Sequence, residues 1–299
     1  MTLQHFKNLQ EKNQPQVVDF EYSVGYIAQA TRNGLYIATS DETAVVFTHR
    51  DDDPHSKYVI VVSSGLQRAE LIRNIAPQLA SSSQKDVIVK NVGADLESRL
   101  LQRGFEQYLP EEQWDNYARY DDNTFPQQVI DSEEYCGLRG SKYASLREEL
   151  RRFERQYSLS LRPYETKDDI SMLVRKWASQ MKERNGVNED ELLRSHQMFL
   201  DHNSDYVQYV VEDNKSGQII GYMSFSKISD NTLGFNVLIN DFSYRNLYRV
   251  MMDKGIEIAH DQGFRYINLQ GSEDEAQYRS KRRFKAEIEI PKKHLVYRY

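Results

Sequence analysis

Lys281 and Tyr278 stand three residues apart in Gln277–Phe284, a stretch with the pattern of a short helix, and form the candidate catalytic pair. An ammonium group suits a developing oxyanion or a ribose–phosphate oxygen, and a phenol can donate a hydrogen bond to the same oxygen. Lys281 also reads as a surface lysine, and Tyr278 as packing beside Phe284. Upstream, Asn268 and Ser272 fall at the C-terminal end of a strand-like stretch, Arg265–Leu269. Open α/β sheets place ligands at such ends. With Glu273 and Arg283 they form the candidate substrate-binding set. The acidic run Glu273-Asp274-Glu275 suits an amino group, and reads also as a solvated loop.

Other chemistries find less support. A turn that grips a pyrophosphate offers free backbone N–H groups, usually from glycines, at a helix N-terminus. The matching stretch here, Leu238–Asn246, has no glycine and carries Asp241; its counterpart in the first half, Val62–Gln67, holds only Gly65. Use of acetyl-CoA is therefore disfavoured. Cys136 has no His near it in sequence and reads as an incidental thiol. The seven His residues contain no H-x-x-x-H pair, so no metal is expected. There is no Walker loop, and Asp51-Asp52-Asp53-Pro54 reads as a solvated turn.

The elements that would position these residues follow from periodicity. Phe20–Thr31, Leu66–Leu79, Leu96–Arg103, Asp169–Arg184, Glu189–Leu200 and Leu247–His260 predict helices; Leu35–Ser40 with Thr43–Arg50, and Tyr206–Glu212 with Gln218–Ser226, predict hairpins. Tyr58–Ser63, Asp86–Val92, Thr232–Ile239 and Arg265–Leu269 predict strands, and Glu287–Tyr299 a final strand pair or tail. Leu146, Leu150 and Phe153 mark one face of a further helix whose other side carries arginines.

The spacings repeat. Val46 to Val61 and Tyr222 to Val237 are both 15 residues, and Val61 to Val89 is 28 against 30 for Val237 to Ile267. A period of about 130 residues indicates a duplicated domain, because solenoid units run to about 20–50.

The formal charge of −6 conceals an asymmetry: residues 1–138 carry 12 basic and 21 acidic side chains, and residues 139–299 carry 27 and 24. A polyanion should meet the second half, where 139–162 hold 7 basic and 3 acidic residues and 279–299 hold 8 and 2. Arg139, Lys142, Arg147, Arg151, Arg282 and Lys285 are the candidate phosphate contacts, with an ordinary solvated surface as the other reading. No apolar run approaches the ~20 residues of a membrane helix, and the polar N-terminus has no signal-peptide core. One cysteine forbids an intrachain disulfide. A cytoplasmic protein is the expectation.

The order helix, hairpin, strand, helix, strand resembles the GNAT acyltransferase fold. More specifically, Gly263-Phe264-Arg265-Tyr266-Ile267-Asn268-Leu269-Gln270-Gly271-Ser272, followed by Tyr278, Lys281 and Phe284, is similar to the closing block of the FemABX-like group, above all the C-terminal domain of phosphatidylglycerol lysyltransferases. Gly140-Ser141-Lys142-Tyr143 through Phe153 is similar to the linker helix of that group. The resemblance covers roughly residues 20–299. It implies an α/β (α+β) fold of two tandem GNAT-like domains, with mixed sheets flanked by helices: a degenerate domain in 1–135, a basic linker helix in 136–165 and a catalytic domain in 166–299. It further implies an acyltransferase that uses aminoacyl-tRNA as co-substrate and needs no resident cofactor. The acceptor would be a lipid, a peptide or a small molecule with an amine or hydroxyl. Lys281 gains its site role from its place in the K-x-x-F element. Phosphatidylglycerol lysyltransferases usually carry a large membrane domain, and no such segment stands in these residues. An acyl-CoA N-acyltransferase and a non-catalytic tRNA-binding module are the alternatives.

Overall fold

The computed structural model describes residues 8, 36–40, 42–48, 58–64, 67–90, 92–108, 125–136, 138, 140–165, 168–185, 207–272, 275–291 and 293–299. The helices expected at Phe20–Thr31 and Glu189–Leu200 lie outside these residues, as do Glu273 and Arg139.

In the first half, β1 (Tyr36–Ser40) and β2 (Thr43–Thr48) form the expected hairpin. They are followed by β3 (Tyr58–Ser64), α1 (Arg68–Ser83), β4 (Val87–Val89), α2 (Ala94–Leu101) and β5 (Glu106–Gln107). The apolar run in β3 is buried on both faces. Ile60 enters the cluster with α1 and α2, while Val59 and Val61 pack with Ile88 on the other side.

The connection holds β6 (Gln127–Asp131), α3 (Ser132–Tyr135), a single 3₁₀ turn (Ser141–Tyr143), α4 (Ala144–Gln156) and β7 (Leu159–Pro163). Gly140 separates α3 from α4 at φ 86°, a left-handed conformation that a side chain would strain. The second half runs α5 (Ser171–Asn185), β8 (Val207–Asp213), β9 (Gln218–Ser229), β10 (Thr232–Asn240), α6 (Leu247–Asp261), β11 (Tyr266–Asn268), α7 (Glu275–Arg282), β12 (Ile288–Ile290) and β13 (Leu295–Tyr297).

Among the described residues two sheets result, with strand orders β1-β2-β3-β4-β13-β5 and β12-β6-β11-β10-β9-β8-β7. Each half therefore lends a strand to the other. β6 lies between β11 and β12 of the second sheet, and β13 lies between β4 and β5 of the first. This corrects the reading of Glu287–Tyr299 as a strand pair. Pro291 has no N–H with which to continue the ladder beyond Ile290, and Leu295 and Val296 are fully buried in the other sheet. β6 itself was missed in the sequence because only Val129 and Ile130 are apolar within Gln127–Asp131.

In the second unit α4 and α6 cover one face of the sheet. Leu146, Leu150, Phe153, Met251 and Ile256 pack there against Phe225, Phe235, Ile130 and Ile267. Gly255 lets α6 approach closely, since a Cβ there would lie 2.8 Å from the rings of both Phe225 and Phe235. The opposite face packs Val210, Tyr222, Val237 and Ile239 against Leu173 and Val174 of α5. Each sheet has a bulge at the matching place. Val46 and Phe47 pair with Val62 and Ile60, which leaves Val61 as the extra residue. In the second sheet Phe225 and Ser224 pair with Phe235 and Val237, which leaves Asn236.

α3 is tied to α6 by the buried Tyr135 hydroxyl, which donates to Asp253 Oδ1 at 2.8 Å. Burial is the main cause that raises the Asp253 pKa from the usual carboxylate value to about 6, and Glu257 adds to it. The folded state thus binds a proton that the unfolded state has already released. Stability from this group is complete below pH ~4 and is lost as pH rises through about 6. Asp253→Asn keeps the acceptor for Tyr135 without the charge. It is expected to raise the melting temperature at pH 7–8 by several degrees, equivalent to about 3 kcal/mol or less. Little change is expected at pH 4, so melting curves across pH 4–8 check the sign.

Candidate active site

β10 and β11 run parallel and pair only from Thr232–Gly234 to Tyr266–Asn268. Beyond that they diverge, because β10 continues to Asn240 while β11 ends. Gln270 closes the wedge. Its backbone takes φ 64°, and its side-chain Nε2 donates to the carbonyls of Phe235 (2.6 Å) and Asn236 (2.8 Å). A left-handed glutamine is held against its backbone preference by these two bonds and by the Asn268 side chain, which accepts from Gln270 N at 2.8 Å.

Asn268 is fully buried and donates to Gln127 of the exchanged strand β6 at 2.7 Å. Both ends of its amide are thus engaged in setting the floor of the wedge. Ser272 is also fully buried, bridges to Phe125, and its Oγ has no hydrogen-bond partner. Lys281 is the buried residue of α7, and its ammonium donates to the Gly271 carbonyl just past Gln270. A buried cation must be held by such oxygens; the surface reading of Lys281 is corrected.

Tyr278 packs on Phe125 (ring centroids 4.8 Å apart), and its hydroxyl donates to Glu289 Oε1 at 2.5 Å. Arg282 donates to both Tyr278 and Glu289 at 3.1 Å. The phenol proton is therefore engaged on β12, and the expected packing partner Phe284 is replaced by Phe125. Phe284 instead joins the core beside Tyr135 and Tyr248.

The candidate phosphate contacts divide by environment. Lys142 pairs with Glu134, which raises its pKa. Arg147 donates to the carbonyls of Leu138 and Gly140 and so fastens the turn before α4. Arg151 is exposed and Lys285 is half-buried at φ 58°; Arg283, of the candidate substrate-binding set, is exposed as well. Sequence reasoning missed Arg249 on α6, which pairs with Glu149 of α4; burial, then the nearby Arg283, lowers its pKa. It missed Gln270 as well; a single glutamine in a strand–turn segment carries no signal of its conformation.

At the turn where a pyrophosphate would sit, Asp241 is buried. Burial alone would raise its pKa. The Lys176 ammonium at 2.6 Å and the Ser243 N–H at 2.9 Å outweigh that and hold it below the usual range. The Ser243 N–H that could serve a phosphate is thus taken by this carboxylate. The Cys136 thiol is pushed up to about 11, first by burial and then by Glu257, Asp261 and Asp253, so it is a poor nucleophile. Among the described residues no group of three or more His, Cys, Asp or Glu is placed to hold a metal ion, and no helix is long and apolar enough to cross a membrane.

Residues 16–290 match the family described as phosphatidylglycerol lysyltransferase, C-terminal. The chain belongs to this family. Its fold is the tandem GNAT-like one. The family member is similar to a conserved protein of unknown function from Bacteroides thetaiotaomicron, with 14% identity, a TM-score of 0.76, and 99% and 97% of the two chains covered. It is similar to the C-terminal domain of a putative lysylphosphatidylglycerol synthetase from Agrobacterium fabrum, with 11% identity, a TM-score of 0.66 and coverage of 99% and 92%. It is also similar to FemX, with 10% identity, a TM-score of 0.65 and coverage of 100% and 96%. Comparison with curated proteins gives no match. Family membership makes the chain a transferase of the acyl-transfer type.

Proposed function

We propose that the chain transfers an aminoacyl group from aminoacyl-tRNA to an amine or hydroxyl acceptor. The observation that carries this reading is Lys281, a buried cation fixed at the tip of β11 beside the closed wedge. Two features favour a tRNA ester over a CoA thioester. Gln270 occupies the strand gap that a pantetheine arm would need, and Asp241 stands ionised where its pyrophosphate would bind.

The ester of a charged tRNA is already activated, so the protein must position the nucleophile, accommodate the oxyanion and release the ribose. The acceptor's nitrogen or oxygen attacks the ester carbonyl carbon and forms the new amide or ester bond. The bond to the ribose oxygen breaks, and that oxygen leaves with the proton lost by the nucleophile. The Lys281 ammonium would neutralise the departing oxygen. The exposed Arg151 would contact acceptor-stem phosphates, an interaction that weakens with salt.

The test offers the protein separate tRNA pools, each charged with one labelled amino acid, and panels of lipid, peptide and small amine acceptors. Acetyl-CoA is offered in parallel. Label reaching an acceptor from a charged tRNA is the expected result. Transfer from acetyl-CoA alone, or salt-sensitive tRNA binding without transfer, would overturn the reading.

A further inference from the structure

The bulge in β10 gathers unspent hydrogen-bonding groups on the face covered by α5. Tyr222 and Val237 belong to that face, and Ser224 lies between Tyr222 and Ser226 on alternating positions of β9. Ser226 Oγ donates to Asn236 Oδ1 at 3.0 Å, which puts the bulged Asn236 side chain on the same face. Asn236 Nδ2 is buried and has no hydrogen-bond partner, and neither has Ser224 Oγ, although Ser224 is fully buried. Buried polar groups are nearly always paired, so two neighbouring exceptions on one patch of sheet need a cause. Gly234 on the same face places no side chain beside them. The backbone carbonyl of Asn236 is one of the two that fasten Gln270 in the wedge.

We propose that Asn236 and Ser224 form a donor pair for the carbonyl oxygen of the transferred acyl group, a role that rests on the aminoacyl-transfer reading above. An amide N–H and a hydroxyl, both fixed and shielded from water, stabilise charge that grows on an oxygen without any reorganisation. The two unpartnered atoms are an amide N–H group and a hydroxyl that can donate, so the pair suits an oxygen that becomes negative. It also separates two tasks: Asn236 and Ser224 serve the carbonyl oxygen, and Lys281 serves the ribose oxygen that leaves. The extra residue of the bulge is what puts the Asn236 amide on the face of Ser226, next to Ser224 along β9; a regular strand would place successive side chains on opposite faces.

The experiment compares wild type with Ser224→Ala and Asn236→Asp in transfer from charged tRNA, and measures kcat, KM and melting temperature. Ser224→Ala removes a hydroxyl that the fold leaves unpaired, so its melting temperature should hold or rise. Its kcat should nevertheless fall about 10-fold with KM unchanged. Asn236→Asp replaces the donor with an acceptor at equal size, and kcat should fall about 100-fold or more. Wild-type transfer with both variants equally fast would overturn the donor pair and leave the aminoacyl-transfer reading standing. No transfer by wild type from any charged tRNA would overturn both. A lower melting temperature with unchanged kcat would assign the two residues to the sheet alone.

Discussion

Lys281→Met is expected to lower kcat for aminoacyl transfer by about 100-fold or more while KM for charged tRNA changes little. Methionine keeps the length and apolar stem of lysine but has no charge to offer the leaving ribose oxygen. Because Lys281 is the buried side chain of α7, its replacement by an apolar group of similar size should not unfold the protein. The Gly271 carbonyl loses its donor, which costs about 1–3 kcal/mol at most. Lys281→Arg should recover little activity, because a buried planar guanidinium is bulkier and presents its donors in a fixed fork instead of as one compact ammonium. Kinetics on variants of verified melting temperature check this. Transfer that survives Lys281→Met undiminished would remove the residue from the mechanism.

Deleting residues 291–299 is expected to destabilise the first unit far more than the second. The deletion removes β13 and leaves β4 and β5 without the strand that joins them. It takes away two fully buried side chains, Leu295 and Val296, worth about 1.5–3 kcal/mol each. It also removes the Lys293 carbonyl that accepts from Val92 at 2.8 Å, and the ion pairs of Lys293 with Glu97 and of Arg298 with Asp86. Amide hydrogen exchange should show lost protection in β4, β5 and α2, with β8, β9 and β10 still protected. Leu295→Ala is the milder version and should cost about 2–5 kcal/mol. Equal protection of both sheets after the deletion would contradict the exchange as a source of stability.

Much of this architecture was legible because it is local. Apolar runs such as Tyr58–Val62 and the 15-residue interval shared by Val46–Val61 and Tyr222–Val237 fix strands whatever their partners. Leu146, Leu150 and Phe153 likewise mark a helix face without reference to the rest of the chain. Pairing is not local, and there the reading failed. Nothing in Gln127–Asp131 or Leu295–Tyr297 says which sheet will accept it.

The candidate site divides the same way. Lys281, Asn268 and Ser272 were reached through a contiguous block, and all three are buried at the end of β11. Tyr278 came from the same block, yet a glutamate on β12 takes its hydroxyl, and that strand's register is not written in the block. Gln270, Asn236 and Ser224 were passed over because their significance lies in a positive φ, a bulge and the lack of partners. None of these is a property of residue type.

Leu295 pairs with Val89, about 200 residues earlier in the chain. β13 therefore leaves the ribosome after every other strand and helix described, yet occupies the interior of the first sheet. Until then the growing chain presents the facing edges of β4 and β5 unjoined, the kind of edge that recruits foreign strands. Folding cannot proceed as one finished half followed by another; the first sheet waits for β13, which follows the whole second half. The duplication thus carries its own order of assembly, in which the emergence of β13 closes the earlier fold.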